Sequence, residues 1–249
     1  MRLPSLLQPF ARWLALVVLC GLGLQVFFVA RIASMRYIDP VSTAFQRSEA
    51  FRIARSNDSL RWRQDWVAVS QHPNHMKRAV IASEDDVFAS HGGVQWEALE
   101  KAWSRNARAQ ARAQARAQAK SGQTAQAKVV GGSTITQQLA KNLFLSGERT
   151  LLRKGQELLL TLALEHLLSK ERILTIYLNS VEWGEGVFGV EAAAQHYFRH
   201  PASQLNAWES ARLAVMLPRP KYYEKYARSP YLAGRAQTIL ARMPQVELP

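Results

Sequence analysis

The most apolar part of the chain lies near its N-terminus. Residues 13–30 carry no charged side chain and one polar amide, Gln25. As a helix, this run would extend about 27 Å at 1.5 Å per residue, close to the roughly 30 Å hydrocarbon thickness of a bilayer. We therefore predict a membrane-spanning anchor over residues 13–34, preceded by a short cytoplasmic tail at 1–12. A cleaved signal peptide is the alternative, but the run exceeds a usual signal segment and no A-x-A cleavage site follows it.

Beyond the anchor, apolar residues recur at helical spacing and alternating strand-like runs are nearly absent, so the predicted fold class is mainly α. We interpret residues 35–65 as a connector with membrane-proximal helices, 66–243 as the main domain and 244–249 as a tail. Within the main domain, the pattern predicts helices over 151–168, 170–180, 186–198 and 206–217. Pro218 and Pro220 are expected to end the last of these helices.

One segment, residues 104–128, departs from this pattern because it consists largely of Ala, Gln, Arg and Lys in a repeating ARAQ unit and contains no carboxylate. These residues are good helix formers, but without a large apolar side chain the segment cannot pack firmly in a core. One interpretation is a solvated, mobile insertion. The other is a basic ladder against anionic lipid headgroups, in which each cation near the surface contributes about 1 kcal/mol. The ladder would consist of Arg108, Arg112, Arg116 and Lys120.

The composition limits the possible classes of protein but does not identify one. At 249 residues, 48% of them hydrophobic, the chain can bury a substantial core. Its formal net charge of +13 favours an anionic partner, which could be nucleic acid, a phospholipid surface or a phosphorylated substrate. Cys20 is the single cysteine, so no intramolecular disulfide can form. No pattern of His, Asp and Glu typical of a metal site stands out.

Two stretches carry candidate chemistry. SEDDVFASHGG, residues 83–93, places Glu84 and Asp85 in an acidic cluster directly after an apolar run, although the chain as a whole is strongly basic. GGSTITQQLAKNLFL, residues 131–145, predicts a helix that starts at Ser133 or Thr134, with a hydroxyl as its cap. The polar face of this helix would consist of Thr134, Gln137, Gln138 and Lys141. Because a helix N-terminus with a nearby lysine attracts anions, this segment suits a ligand such as a pyrophosphate.

The predicted helix at 151–168 carries a polar stripe on an apolar background. The stripe, with its residues spaced four apart, consists of Arg153, Glu157, Thr161 and Glu165. Since leucines cover most of the remaining circumference, we expect this helix to be largely buried. An intrahelical ion pair, worth about a few tenths of a kcal/mol, is the simpler explanation of the stripe. A buried carboxylate flanked by Arg153 and Lys154 is instead a candidate for a functional site.

Together these stretches resemble the family 51 glycosyltransferases, the peptidoglycan glycosyltransferases. The resemblance covers the chain from about Trp66 to Pro220, with the motifs in the order that the family shows. The matching segments are SEDDVFASHGG (83–93), GGSTITQQLAKNLFL (131–145), RKGQE (153–157), RILTIYLN (172–179) and GVFGVEAAAQHYF (186–198). The chain ends without a transpeptidase segment, which indicates the monofunctional type. The ARAQ segment departs from the family pattern, in which this region is a mobile loop near the active site.

The resemblance implies a lysozyme-like, two-lobed glycosyltransferase domain, with its smaller lobe against the membrane and lipid II as its substrate. Glu84 matches the family's general base, which would take the proton from the 4-hydroxyl of the incoming GlcNAc. That oxygen would attack C1 of the MurNAc at the end of the growing chain, with inversion and loss of undecaprenyl pyrophosphate. Glu157 matches the second essential carboxylate, which would act near the pyrophosphate.

The resemblance also assigns supporting roles. The cations that would bind the phosphates are Lys141, Arg149 and Arg153. The residues that would line the donor cleft are Ser133, Gln137 and Gln138. Asp85 and Phe88 belong to the substrate site, where Asp85 would organise Glu84 and its loop, and Phe88, with His91, would shape that loop. No obligate cofactor is expected, and a divalent cation (Mg²⁺ or Mn²⁺), if used, would lie on the pyrophosphate.

The expected partners are lipid II, the nascent glycan strand and the membrane, with other cell-wall synthesis and division proteins as candidates and no nucleic acid. The charges that flank the anchor support both orientations almost equally. The resemblance places the catalytic domain on the outer, periplasmic face of the cytoplasmic (inner) membrane. The alternatives are a lytic glycosidase of similar fold, a membrane-tethered nucleic-acid binder that uses the ARAQ segment, and an inactive scaffold for cell-wall assembly. The absence of a recognised nucleic-acid motif disfavours the binder, and the intact Glu84 and Glu157 disfavour the scaffold.

Overall fold

The computed structural model describes residues 7–56, 61–97, 100, 104, 108, 133–145, 147–148 and 150–249. In chain order, its helices are α1 (Leu7–Ser34), α2 (Ala44–Ser56), α3 (Asn74–Glu84), α4 (Ile135–Phe144), α5 (Leu151–Leu167), α6 (Lys170–Ser180), α7 (Val190–Phe198), α8 (Ala207–Met216), α9 (Pro220–Lys225) and α10 (Pro230–Arg242). A small sheet contains β1 (Arg63–Gln64), β2 (Glu182–Gly184) and β3 (Val187–Phe188). The mainly α class is confirmed. Of the ARAQ segment only Ser104 and Arg108 are described, both of them helical, and Arg149 also lies outside the described residues.

The apolar helix α1 is long enough to cross a membrane over Pro9–Ser34, with a mean hydropathy of 2.3. Most of its apolar side chains are exposed, but the C-terminal end packs into the main core, where Ile32 is fully buried. The ring of Phe28 also meets that of Phe144 in α4, with centroids 5.3 Å apart. A signal segment that is removed would leave this part of the core open, so the packing favours a retained anchor.

Side-chain caps explain where several predicted helices begin. The Thr134 hydroxyl accepts a hydrogen bond from the backbone N–H of Gln137, whose own side chain accepts from the backbone N–H of Thr134. This capping box starts α4 directly after Thr134, one of the two residues, Ser133 and Thr134, at which the helix start was predicted. Asn206 and Glu209 form the same motif at the start of α8. The helix predicted over 206–217 is confirmed, although Pro220, expected only as a stop, also opens α9.

The helix predicted over 186–198 begins four residues too early. Val187 and Phe188 form β3, which pairs in parallel with β1 and antiparallel with β2, and α7 starts only at Val190. Gly189 explains the boundary, because its φ of +82° is in the left-handed region. A Cβ atom there would also lie 2.7 Å from the backbone oxygen of Asn179.

The expectation that the leucine-rich helix α5 is largely buried was wrong. Its polar stripe faces inward, with Glu157 4% exposed and Thr161 fully buried, whereas Leu151 is 93% exposed and Leu152 86% exposed. The outward leucines lie on the helix that packs against α1. The helical period correctly separated the polar face of α5 from its leucine face. The rule that the apolar face of a helix is buried in the protein, however, holds only where water is the surrounding solvent.

Two groups of helices form the two lobes of the fold. In one lobe α3 packs against α8 and α10, and in the other α4 packs against α2, α5 and α6. The lobes meet where the C-terminal end of α3 faces α4, and Gln138 bonds Glu84 across this boundary. The candidate residues on α3, α4 and α5 are thereby brought to one cleft.

Candidate active site

Glu84 is the last residue of α3 and lines a cavity of about 480 Å³. Its Oε2 accepts a hydrogen bond from Nε2 of Gln138 at 2.8 Å, and its Oε1 accepts a weaker one from the Ser83 hydroxyl at 3.3 Å. Burial raises the pKa of Glu84 above its ordinary value; these two hydrogen bonds oppose the rise, and the charge of Asp85 adds to it. A carboxylate whose pKa is raised in this way is better matched to taking up a proton near neutral pH.

Asp85 ties the loop after α3 to the start of α4. Its Oδ1 accepts hydrogen bonds from His91 Nε2 at 2.8 Å and from Gln95 Nε2 at 2.6 Å, and its Oδ2 accepts from the backbone N–H of Ile135 at 3.0 Å. Nδ1 of His91 accepts from the N–H of Gly93 at 2.9 Å, so the proton that His91 donates to Asp85 lies on Nε2. Every partner of Asp85 is therefore a donor that holds the loop.

Phe88 forms the floor of this loop. It is fully buried, with the Lys170 ammonium 4.5 Å from its ring centroid and the His91 ring against it at 6.2 Å. Asp85 is also buried, at 3% exposure. The burial of both side chains favours a supporting role for them over direct contact with a substrate.

Helix α4 connects the Glu84 cavity with a second cavity of about 310 Å³ that contains Glu157. Three side chains line both cavities, which makes them two halves of one cleft: Ser133, Gln138 and Lys141. Gln137 lines the Glu157 half while its amide also completes the cap of α4. The described candidates on α3, α4 and α5 thus meet in one place, with the two carboxylates in opposite halves.

Glu157 is held by two cations from its own helix. Its Oε2 accepts from Nη1 of Arg153 at 2.9 Å, and its Oε1 lies 2.5 Å from Nζ of Lys154. With Lys141, this half of the cleft has three cations, against the carboxylates of Glu157 and Glu148. One positive charge remains in excess, which suits a ligand with phosphate groups.

A larger cavity, about 790 Å³, lies elsewhere, near the C-terminal end of α1. Its lining includes Arg36, Trp66, His166 and Arg172 but none of the candidate site residues. We place the site in the two smaller cavities because they contain the partnered carboxylates. Within the described residues, no group of three His, Cys, Asp or Glu side chains is arranged to hold a metal ion.

Sequence reasoning missed several side chains of the cleft. Lys154 was noted beside Glu157 but not included among the phosphate-binding cations. Phe45 of α2 lines the Glu157 half, and Gln95 lines the Glu84 half. Tyr177 of α6 donates its hydroxyl to Gln138 from behind the cleft. Only Lys154 had a local signal, its spacing of three residues from Glu157, because no such spacing links the others to a carboxylate of the cleft.

Comparisons with known proteins identify the family of this chain. A family model described as Transglycosylase matches residues 52–244. A biosynthetic peptidoglycan transglycosylase from Burkholderia thailandensis is 52% identical over 244 residues, which cover 96% of this chain and 89% of that protein. A protein of the same description from Paraburkholderia xenovorans is 48% identical over 96% of this chain and 94% of its own length.

The chain therefore belongs to the transglycosylase family. It is a glycosyltransferase, and its domain has the lysozyme-like fold of that family.

Proposed function

We propose that this protein polymerises the glycan strands of peptidoglycan during cell-wall synthesis. In this reaction the growing chain is transferred from undecaprenyl pyrophosphate to the 4-hydroxyl of the GlcNAc of lipid II, with inversion at the MurNAc C1. The observation that carries the proposal is the cleft itself, in which one half contains a carboxylate suited to proton transfer and the other contains three cations. The names of the relatives support peptidoglycan as the polymer.

Glu84 is the general base. Burial raises its pKa, so at neutral pH its carboxylate gains more from accepting a proton than an exposed glutamate would. The 4-hydroxyl of the acceptor gives its proton to Glu84 while its oxygen attacks C1 of the donor sugar, and the C1–oxygen bond to the pyrophosphate breaks. A sugar hydroxyl takes the place that water has in an inverting glycosidase.

The leaving pyrophosphate lies in the Glu157 half of the cleft. Lys141, Arg153 and Lys154 supply charge-assisted hydrogen bonds to its oxygens as negative charge develops there. Glu157 orients Arg153 and Lys154, to which it is hydrogen-bonded. Arg149, which the family resemblance groups with these cations, remains a candidate for the same role. This assignment needs no metal ion, although Mg²⁺ or Mn²⁺ on the pyrophosphate is compatible with it.

The lobe that contains α5 lies against the membrane from which the lipid-linked substrate comes. The exposed Leu151 and Leu152, on a helix packed against α1, support this placement. The catalytic domain lies on the outer, periplasmic face of the cytoplasmic membrane, where we expect lipid II to be polymerised. Alkaline phosphatase fused after Pro249 should be active in cells, and activity of a cytoplasmic reporter at that position would contradict this orientation.

Polymerisation of fluorescent lipid II by the purified full chain tests the reaction. We expect products longer than the substrate, and a loss of rate of about 10²–10⁴ in Glu84→Gln, because Gln keeps the shape of the side chain but does not accept the proton. Asp86→Asn is the matched control, since Asp86 is the exposed acidic neighbour in the same loop, and it should stay within a few-fold of the wild type. Shortening of existing glycan without polymer growth would favour the lytic glycosidase.

A further inference from the structure

Tyr177 lies behind the cleft and is connected to Glu84 through one side chain. It is fully buried in α6, and its hydroxyl donates a hydrogen bond to Oε1 of Gln138 at 2.9 Å. Nε2 of Gln138 in turn donates to Oε2 of Glu84 at 2.8 Å. Two consecutive hydrogen bonds therefore join a buried phenol to the carboxylate in the cleft.

The Tyr177 hydroxyl determines which way the Gln138 amide points. An ionised carboxylate only accepts hydrogen bonds, so Glu84 must face the NH₂ end of that amide. The carbonyl end then points to the interior, where it needs a donor, and Tyr177 supplies one. Without the phenol hydroxyl, Oε1 of Gln138 would lose this buried partner, and a flipped amide would set oxygen against oxygen at Glu84.

Burial keeps Tyr177 in its donor form. It raises the pKa of the phenol well above the ordinary value, and the charges of Glu84 and Asp85 raise it further, so the hydroxyl keeps its proton at every working pH. Tyr177 is thus unsuited to act as a base itself. Among the residues that the structure describes, the charged or titratable groups that face Glu84 are Asp85 from the adjoining loop, Lys141 from α4 and Tyr177 from α6.

We infer that Tyr177 is a positioning residue for transfer, which through Gln138 holds Glu84 ionised and oriented toward the acceptor hydroxyl. This inference rests on the proposed function, since it assumes that Glu84 is the base. It assigns Gln138 a second role besides lining the donor cleft. Tyr177 is the tyrosine of the RILTIYLN segment, and its position on a buried helix face alone would suggest only a packing role.

The test is Tyr177→Phe, which removes one oxygen and keeps the ring. We expect kcat for lipid II polymerisation to fall roughly 5- to 50-fold, as for a buried acceptor left without its donor, with KM little changed. The acidic limb of the pH–rate profile should move to higher pH, because an ionised Glu84 loses support. Tyr197→Phe is the matched control: the Tyr197 hydroxyl donates to the backbone oxygen of Trp183 at 2.8 Å, outside the cleft. Its pH profile should match that of the wild type.

A double-mutant cycle with Gln138→Leu separates positioning from mere packing. Gln138→Leu alone should move the acidic limb in the same direction, and in that background Tyr177→Phe should cause no further loss, because the route to Glu84 is already broken. A wild-type pH profile for Tyr177→Phe, or fully additive losses in the cycle, would overturn the inference. Should Tyr177→Phe not fold, as judged by thermal unfolding, an unmoved acidic limb in Gln138→Leu would overturn it equally. An inactive wild-type chain would instead contradict the proposed function.

Discussion

Gln25 of the apolar helix α1 and Gln156 of α5 exchange two hydrogen bonds through their side-chain amides, at N–O distances of 2.9 and 3.0 Å. A primary amide among apolar side chains is costly unless it has a partner, and here each amide satisfies the other. Gln156 directly precedes Glu157 in the chain. The pair therefore fixes how the anchor helix lies against the helix that carries a carboxylate of the cleft.

We expect the two glutamines to be energetically coupled. Gln25→Leu and Gln156→Leu should each lower the free energy of unfolding in detergent, because each leaves one amide unpaired. The double variant should lose less than the sum, by about 0.6–1.7 kcal/mol, the range of hydrogen bonds between helices in apolar surroundings. Gln25→Leu combined with Gln237→Leu, an exposed glutamine on α10, should be additive. Additivity of the Gln25 and Gln156 substitutions would show that the amides do not stabilise the contact.

This pair also shows what the sequence could and could not predict. The apolar run and its single Gln25 were visible, and the periodicity of the later segments predicted the positions of α5, α6 and α8. The sequence did not reveal that Gln25 meets a residue 131 positions further on. Local patterns determine helices, whereas such contacts depend on how the helices pack.

The candidate site, too, has features that the sequence predicted and features that it could not predict. The resemblance to a family brought Glu84, Lys141 and Glu157 together, and the structure places them in one cleft. The hydrogen bond from Gln138 to Glu84 joins residues 54 apart, and no spacing rule indicates it. The burial of α5 was misjudged for another physical reason: a sequence shows which face of a helix is apolar but not whether protein or lipid covers that face.

We expect the buried Glu182 to make stability depend on pH. Burial raises its pKa to about 7; Lys221, 3.3 Å from its Oε1, opposes the rise, and the charges of Glu49 and Glu185 favour it. The folded state therefore binds a proton more tightly than the unfolded state does. Between the unfolded pKa of about 4.3 and about 7, the free energy of unfolding should fall as the pH rises, by roughly 4 kcal/mol at most.

Glu182→Gln isolates this contribution. The variant should be more stable than the wild type at pH 8 and about equal to it at about pH 4, as measured by denaturant unfolding across this range. Glu171→Gln, at an exposed carboxylate, should leave the pH dependence of the wild type in place. Parallel curves for the wild type and Glu182→Gln would mean that Lys221 keeps Glu182 ionised throughout.

The cations of the cleft should be needed to bind the leaving group. Arg153→Ala or Lys141→Ala would each remove a charge-assisted contact to the pyrophosphate, worth about 1.5–3 kcal/mol. Inhibition by added undecaprenyl pyrophosphate should weaken accordingly, by roughly 10- to 150-fold. Arg235→Ala on the exposed surface of α10 is the control and should leave inhibition unchanged. Unchanged inhibition in both cleft variants would indicate that these cations do not contact the pyrophosphate.

Gly93 should be the position of the loop after α3 that is least tolerant of substitution. It has a φ of +86°, and a Cβ atom there would lie 2.7 Å from Cγ of Glu165 and 2.9 Å from Cγ2 of Thr161 on the inward stripe of α5. Its carbonyl also accepts from the Thr134 hydroxyl at 2.6 Å. Gly93→Ala should therefore combine left-handed strain with overpacking and lower the free energy of unfolding by about 2–4 kcal/mol.

The neighbouring Gly92 provides the control, because a Cβ atom there would meet nothing within 4 Å. Gly92→Ala should unfold at nearly the wild-type temperature, whereas Gly93→Ala should unfold roughly 5–15 °C lower. Gly93→Ala should also lower the activity, because the N–H of Gly93 donates to His91, which in turn donates to Asp85 beside Glu84. If Gly93→Ala kept both the wild-type melting temperature and activity, the close packing of this loop against α5 would not be what holds Asp85 in place.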